Sequence, residues 1–170
     1  MRPCTRRLLH HLTPVIAARG HEVTTLDARS LPAEALLSAD TAHPDISAAV
    51  DLFERADAVL IGTPIYKAAY SGLLKSLLDL LPQRALAGRT VLPLATGGSP
   101  AHVLAIDYAL RPVLSSLGAA HITPGWFVLD RHIGTGPDGS VLVDPASADG
   151  LRRSLDAFLA ATGTRSHATP

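Results

Sequence analysis

The segment Pro64–Gly72 has the residue types and the position of a ligand-binding loop. It follows a continuous apolar run, Ala58–Thr63, which predicts a strand that is buried on both faces of a parallel sheet. In open α/β sheets, ligands bind outside the carboxyl ends of the strands. Pro64 stiffens the exit from this strand, and Tyr66 offers a flat aromatic face beside it. These residues predict a binding site at the end of the strand.

A second strand candidate, Val91–Ala95, is followed by Thr96–Gly98. Glycines at the carboxyl end of a strand allow a planar ring to approach the backbone closely, although the same residues also form ordinary turns. Tyr66 and Lys67 also have a second interpretation, as a tyrosine that caps the core and a solvated lysine. Taken alone, these residues leave both interpretations open.

No other group of residues in the sequence indicates acid–base, nucleophilic or metal chemistry. Lys75 and Asp79 have the i, i+4 spacing of an exposed ion pair on one predicted helix. The 8 histidines are scattered, without the spacing of a metal site. Cys4 is the sole cysteine, so neither an intramolecular disulfide nor a cysteine-built zinc site is expected. A reducing compartment, the cytoplasm, is the expected location.

The composition predicts one globular domain. With 170 residues, of which 47% are hydrophobic and 18% charged, the chain can bury a core of its own. Its 15 basic and 15 acidic side chains cancel, which argues against a nucleic acid or an anionic membrane as partner. No signal peptide is recognisable, and no run of about 18 apolar residues predicts a membrane span. We expect the domain to occupy residues 1–162, with a flexible tail from Gly163.

The spacing of apolar residues predicts alternating helices and strands. A helix is expected over Thr5–Arg19, ending at Gly20, and a strand near the edge of the sheet over His21–Leu26. The pattern then predicts a loop with a short helical turn over Leu31–Pro44, a helix over Ile46–Ala56 and, after the ligand loop, a helix over 70–81. Such alternation is the doubly wound α/β pattern, a parallel sheet with helices on both faces.

The second half of the chain continues this alternation. We expect a helix over Ala101–Leu117, a strand over Ile122–Leu129, a turn at Gly134–Gly139, a short strand over Val141–Val143 and a closing helix over 146–161. Within the first of these helices, Tyr108 lies one helical turn before Pro112. Because proline has no N–H, the carbonyl of Tyr108 lacks its usual partner. A kink or a bulge is therefore expected at Tyr108.

Two long stretches of the sequence carry a resemblance to a known family. Pro64–Pro82 and Leu92–Leu117, the second including Ala101-His102 and Asp107–Leu110, closely resemble the NADPH-dependent FMN reductases of two-component monooxygenase systems, the sulfonate-utilisation type. The likeness covers Thr5–Val128 and fades beyond it. It implies a flavodoxin-like fold, FMN and NADPH as cofactors, delivery of reduced FMN to a flavin-dependent monooxygenase, and a homodimer or homotetramer.

The resemblance also implies which residues form the flavin site. The residues expected to line or contact the flavin ring are Pro64, Ile65, Tyr66, Lys67, Thr96, Gly97 and Gly98. Tyr108 is expected in a π-type insertion at a subunit interface near the flavin. No catalytic residue is expected, because hydride transfer between nicotinamide and flavin needs no acid or nucleophile from the protein.

The sequence departs from the family pattern at its beginning. In the family, a first central strand ends in Gly-Ser-Pro and a serine- and arginine-rich loop, which holds the flavin phosphate at a helix N-terminus. Here only Thr5 matches that loop, because Pro3 and Cys4 replace its serine and arginine. We therefore expect an N-terminally truncated chain that lacks the first central strand and the phosphate loop and has gaps in its sheet pairing. A start codon assigned too late and a decayed phosphate site both remain open.

Other functions on the same scaffold also remain open. A chain without the phosphate loop could be a flavin-poor relative that acts as an oligomeric or partner-binding module. A quinone or azo-dye reductase is a further alternative, because a fold does not determine the electron acceptor. An electron-carrying flavodoxin is disfavoured, since such carriers present a strongly acidic surface and this chain has a formal net charge of +0.

Overall fold

The computed structural model describes residues 4–163, and its central strand is β3, Thr90–Gly97. Every residue of β3 is buried. Strand β1, Ala58–Tyr66, pairs with it in parallel on one side, and β4, His121–Ile122, and β5, Trp126–Leu129, pair with it in parallel on the other. Strand β2, Ala69–Tyr70, pairs antiparallel with the end of β1. The result is a mostly parallel sheet.

Helices cover both faces of this sheet. On one face, α1, Cys4–Ala17, and α6, Pro145–Gly163, pack their leucines against β3 and β5. On the other face lie α4, Gly72–Asp79, and α5, Arg111–Ser116. Helices α2, Ala33–Ser38, and α3, Pro44–Arg55, pack beside α4. The predicted doubly wound α/β fold is confirmed.

The strand predicted over His21–Leu26 is wrong. These residues have no strand assignment, and no backbone hydrogen bond joins them to another residue in the part of the chain that the structure describes. A β-strand is stabilised by its ladder of hydrogen bonds, so β-branched residues without a paired neighbour remain irregular. The expected gaps in sheet pairing are therefore found here.

Strand β1 is less buried than its sequence predicts. Only Ile61, Thr63 and Ile65 are fully buried, and the residues between them are partly exposed. Within residues 4–163, Ala58–Pro64 pairs with β3 along one edge, and the other edge of β1 pairs only at its end, with β2. The open edge explains the partial exposure, because a neighbouring strand normally covers that side.

The strand predicted over Ile122–Leu129 is interrupted. Val91 pairs with Ile122, whereas Leu94 pairs with Trp126, so the second strand carries one extra residue between the two pairs. This is the geometry of a β-bulge. Pro124 has no N–H to donate to the ladder. Gly125 lies so close to β3 that a Cβ there would be 2.6 Å from the carbonyl oxygen of Pro93.

The helix predicted over Ala101–Leu117 is divided into three types of helix. A 3-10 turn at Pro100–His102 leads to a π-helix at Ile106–Leu110, which continues directly into α5. The N–H of Arg111 donates to the carbonyl of Ile106, which is the i→i+5 hydrogen bond of a π-helix. The π-type insertion predicted at Tyr108 is confirmed.

The remaining elements follow the sequence closely. Strands β6, Ile133–Thr135, and β7, Val141–Val143, form an antiparallel hairpin, so Gly134 lies in a strand and the turn begins after Thr135. The predicted short strand over Val141–Val143 is confirmed. No described helix is long and apolar enough to cross a membrane. The tail is predicted from Gly163, but Gly163 is the last residue of α6, and residues 164–170 lie outside the described residues. The single domain over 1–162 stays a prediction.

Candidate functional site

The three segments that the sequence singled out meet at the carboxyl ends of β1 and β3. Pro64 is the register partner of Thr96. The hydroxyl oxygen of Thr5, at the start of α1, lies 2.6 Å from that of Thr96, and both side chains are buried. We call Thr5, Pro64–Lys67 and Thr96–Gly98 the strand-end site.

The predicted ligand loop Pro64–Gly72 is in fact a hairpin. Strand β1 continues through Pro64 to Tyr66, and β2 returns alongside it, so only Lys67 and Ala68 form the turn. Both residues have positive φ angles, 51° and 64°. A turn of this kind between antiparallel strands is normally made by Asn-Gly or Gly-Gly, because a Cβ is disfavoured in the left-handed region. The hairpin is therefore strained, and its sequence lacks the usual turn residues.

The exposed tip of this hairpin carries Tyr66, whose exposed fraction is 63%. Behind the tip, Ile65 packs with Ala95, Ile106 and Phe127 in a small apolar cluster. The side of the strand-end site formed by this cluster is apolar and buried, and the other side carries the accessible ring of Tyr66.

Gly97 and Gly98 have different surroundings. A Cβ added to Gly97 would lie 2.9 Å from Cζ of Phe127, so glycine is required there for packing. A Cβ added to Gly98 would meet no atom within 4 Å. The backbone at Gly98 is consequently open to an approaching ligand, as a planar ring would need.

The first turn of α1 has charged groups of both signs beside it, with Asp27 next to Arg6 and Asp130 next to Cys4. This turn contains no acidic residue, and Arg6 lies in it. Arg6 Nε is 3.8 Å from Asp27, which also accepts hydrogen bonds of 3.0 and 2.7 Å from Arg29. The hydrogen bonds from Arg29 hold the pKa of Asp27 below its ordinary value. The N–H groups of a first helical turn have no partners within the helix, so this end of α1 favours an anion.

Thr63 is not among the site residues predicted from the sequence, whereas Ala68 and Ser71 lie within the predicted ligand loop Pro64–Gly72. Thr63 is buried and accepts a 3.1 Å hydrogen bond from the N–H of Ser71, which caps α4. A serine before an amphipathic helix is a recognisable N-cap signal, but its partner Thr63 depends on the hairpin between them. Lys75 and Asp79 form the exposed ion pair that their spacing predicts.

Burial raises the pKa of the Cys4 thiol above its ordinary value, and the nearby Asp130 adds to the effect. We expect alkylation of Cys4 by iodoacetamide to be slow at neutral pH, because the thiolate is the reactive form. The pH profile of the alkylation rate should have its midpoint above that of a free cysteine measured alongside. A midpoint at or below the free-cysteine value would contradict this expectation.

A patch of exposed apolar side chains surrounds the π-helix. Tyr108 is 79% exposed, and Val103 and Leu104 are also exposed. A cavity of about 160 Å³ lies beside them, lined by residues that include Val103, Ile106 and Trp126. Strand β2 of the hairpin packs against the same π-helix, so the patch is connected to the strand-end site. Within residues 4–163, no group of three or more histidine, cysteine and acidic residues could hold a metal ion.

Comparison with known proteins places this geometry in a family. The model of the family described as NADPH-dependent FMN reductase matches residues 2–133. An FMN reductase (NADPH) of Pseudomonas putida is 47% identical over 151 residues, covering 86% of this chain and 75% of the relative. The chain belongs to the NADPH-dependent FMN reductase family. The family is one of oxidoreductases, and its description names NADPH and FMN.

Further members of the FMN reductase family agree with this assignment. An FMN reductase (NADPH) of Escherichia coli is 50% identical over 112 residues, and the chain spans 59% of its length. A solved structure of the apo form of an NADH:FMN oxidoreductase, EMOB, superimposes with a TM-score of 0.79 at 41% identity, covering 91% of this chain and 80% of that one. The flavodoxin-like α/β fold expected from the sequence is therefore confirmed.

Proposed function

We propose that this chain is an NAD(P)H-dependent FMN reductase whose strand-end site binds the flavin. The observation that carries the proposal is the convergence of Thr5, Pro64–Lys67 and Thr96–Gly98 at one edge of the sheet. Ligands of open α/β sheets bind at this edge. The family assignment supplies the chemistry, a hydride transfer from nicotinamide to flavin.

The residues present fit FMN in shape and charge. The exposed ring of Tyr66 and the open backbone at Gly98 both leave room for a planar ring to approach. The first turn of α1, with Arg6 and no acidic side chain, fits the negative charge of the phosphate. When bound, FMN would supply the capacity to accept a hydride from NADPH.

The protein would contribute position and exclusion of water to this reaction. Tyr66 would orient one face of the ring, and Gly97 and Gly98 would allow close approach on the backbone side. The apolar cluster of Ile65, Ala95 and Phe127 would keep water from that side. Neither a general acid nor a nucleophile is assigned, because the transfer needs none from the protein.

The test is an anaerobic assay with the purified chain, FMN and NADPH. We expect the nicotinamide absorbance to fall together with the absorbance of oxidised FMN, and NADH measured in parallel would give the cofactor preference. A chain that binds FMN but does not oxidise NADPH would overturn the proposed activity. A chain that does not bind FMN would favour the alternative of a flavin-poor binding module.

We further propose that reduced FMN passes from this chain to a flavin-dependent monooxygenase. The support is the similarity of Pro64–Pro82 and Leu92–Leu117 to reductases of two-component systems. Relatives named NADH-dependent FMN reductase SfnF and SfnE, both from Pseudomonas putida, are 37% and 43% identical over 124 and 76 residues. The test is whether adding the chain, NADPH and FMN to such a monooxygenase starts product formation. The control supplies the monooxygenase with chemically reduced FMN and no reductase. Product formation no greater than in this control would count against the delivery.

Self-association through the patch around Tyr108 is expected on physical grounds. Large apolar side chains that lie exposed together commonly mark an interface, and the cavity beside Val103 offers space for a partner side chain. We expect the chain to be a homodimer or homotetramer in light scattering coupled to gel filtration. Tyr108→Arg should shift it toward the monomer, because a charge is costly to bury in an interface. Unchanged mass in the variant would place the interface elsewhere.

A further inference from the structure

The hairpin of the strand-end site is anchored by a hydrogen bond that the family assignment does not explain. Thr63 lies just before the hairpin, and Ser71 just after it. The N–H of Ser71 donates to Oγ1 of Thr63 at 3.1 Å. The hydroxyl of Thr63 in turn lies 3.1 Å from the carbonyl oxygen of Pro64 and 3.4 Å from Oγ of Ser71. This contact closes the base of the hairpin.

The Thr63 side chain is well suited to fix this geometry. Its exposed fraction is 1%, so water does not compete for its hydrogen bonds. Ser71 in turn caps α4 by accepting from the N–H of Leu74 at 3.3 Å. The contact therefore connects β1, in the sheet, to the first turn of α4. A hydrogen bond inside a protein is stronger when water is excluded, and networks of this kind rigidify the groups they join.

The hairpin needs such an anchor, because its turn is strained. Lys67 and Ala68 both have positive φ, a conformation that is unfavourable for any residue with a Cβ. Strain of this kind persists only where the surrounding structure determines it, and it is concentrated at functional sites. The pairing of β1 with β2 covers only two residue pairs, so the Thr63–Ser71 contact is a substantial part of what holds the turn.

We propose that Thr63 is a positioning residue for the flavin, acting through Ser71 to hold the strained turn Lys67–Ala68 and with it Tyr66. The proposal rests on the proposed flavin site. Thr63 does not touch the flavin itself, because its side chain is buried below the hairpin. Its effect is to fix in advance the conformation that the ligand requires, which lowers the cost of binding.

The test compares Thr63→Val, which has nearly the same shape but no hydroxyl, with Thr63→Ser, which keeps it. We expect the Kd for FMN, from fluorescence quenching, to rise about fivefold to tenfold in Thr63→Val and to return toward the wild-type value in Thr63→Ser. Thr90→Val is the matched control, since the buried Oγ1 of Thr90 has no hydrogen-bond partner among the described residues. It should leave FMN binding unchanged.

A second pair of variants compares the loss of this hydrogen bond with the loss of the neighbouring cap. Thr63→Ala also deletes Oγ1 of Thr63, and it places no new methyl group next to the N–H of Ser71. Ser71→Ala loses the cap to Leu74 but keeps the N–H. The difference in FMN affinity between these two variants isolates the contact with Thr63. This pair also keeps the proposal testable if Thr63→Val does not fold.

Hydrogen exchange of the ligand-free protein separates this proposal from the proposed function. We expect Thr63→Val to speed exchange at the Ser71 amide and in β2, with little change in β3. If wild type does not bind FMN but this local change occurs, the flavin site is wrong and the anchoring is right. If wild type binds FMN and both Thr63→Val and Thr63→Ala bind it equally well, the positioning role of Thr63 is overturned.

Discussion

Replacing Gly150 with alanine is expected to destabilise the fold more than any other conservative change considered for this chain. Gly150 is a buried residue of α6. A Cβ there would overlap Cζ2, Cη2 and Cε2 of Trp126. The rigid indole would have to move as a whole to make room for this Cβ.

The indole of Trp126 is also fixed from its other end. Its Nε1 donates to the carbonyl of Ser147 at 3.1 Å, and its backbone is paired with Leu94 in the sheet. Alanine would gain about 1 kcal/mol in helix propensity over glycine. Overpacking a well-packed core typically costs about 1–3 kcal/mol and at times more, and this contact is at the severe end. We expect a net loss of about 2 kcal/mol, which lowers Tm by roughly 4–8 °C.

A double-mutant cycle with Trp126→Phe checks the cause of this loss. The clashing atoms belong to the six-membered ring of the indole, which phenylalanine does not place at the same point. Gly150→Ala should therefore cost much less in the Trp126→Phe background, giving a favourable coupling between the two substitutions. Thermal unfolding of the four proteins measures it. Equal Tm values for wild type and Gly150→Ala would contradict the packing described here.

The sequence alone does not indicate that Gly150 makes a close packing contact. The apolar spacing predicts the closing helix over 146–161, and a helix is found over Pro145–Gly163. Periodicity reports which face of a helix is buried, but not which side chain it meets. The contact with Trp126 depends on how α6 crosses β5. The apolar spacing therefore predicts the closing helix but not the contact between Gly150 and Trp126.

The prediction at Tyr108 succeeded because its cause is local. The missing N–H of Pro112 removes a hydrogen bond from the carbonyl one turn earlier, whatever the tertiary structure. The strand predicted over His21–Leu26 failed for the opposite reason, since a strand exists only where a neighbour pairs with it. The residues that favour a helix lie within the helical segment itself. A strand, in contrast, forms only where another strand of the chain pairs with it.

The sequence predicts where the candidate site lies, but not the backbone conformation of its hairpin. The apolar runs before Pro64 and Thr96 identify two parallel strands, and their carboxyl ends must meet at one edge. The hairpin could not be predicted, because Lys67 and Ala68 are not residues that favour a tight turn. Its anchor, Thr63, requires the hairpin to be known first.

Replacing Gly98 with valine is expected to have the largest effect on flavin binding with the smallest effect on the fold. A Cβ at Gly98 would meet nothing within 4 Å, and Gly98 is not among the glycines with positive φ. The valine side chain would instead extend into the space that the proposed function assigns to the flavin ring. Overpacking typically costs about 1–3 kcal/mol, and here it would occur between the valine and the flavin ring. We therefore expect the Kd for FMN to rise roughly tenfold or more.

Two other substitutions make this result specific. Ala120→Val adds similar bulk at an exposed position next to β4, at the opposite end of the sheet, and should leave FMN binding unchanged. Gly97→Ala should lower Tm, because its Cβ would lie 2.9 Å from the ring of Phe127. The neighbouring glycines thus separate two effects, packing at Gly97 and ligand access at Gly98.

The outcome for Gly98→Val decides whether the flavin lies against the end of β3. Fluorescence quenching gives the Kd for FMN, and thermal unfolding of the same samples gives Tm. Weak binding with an unchanged Tm would mean that the open side of Gly98 is the space the ring occupies, because the substitution meets no protein atom there. Wild-type affinity in Gly98→Val would place the ring away from β3. The Tyr66 hairpin would then be the part of the strand-end site that contacts the flavin ring.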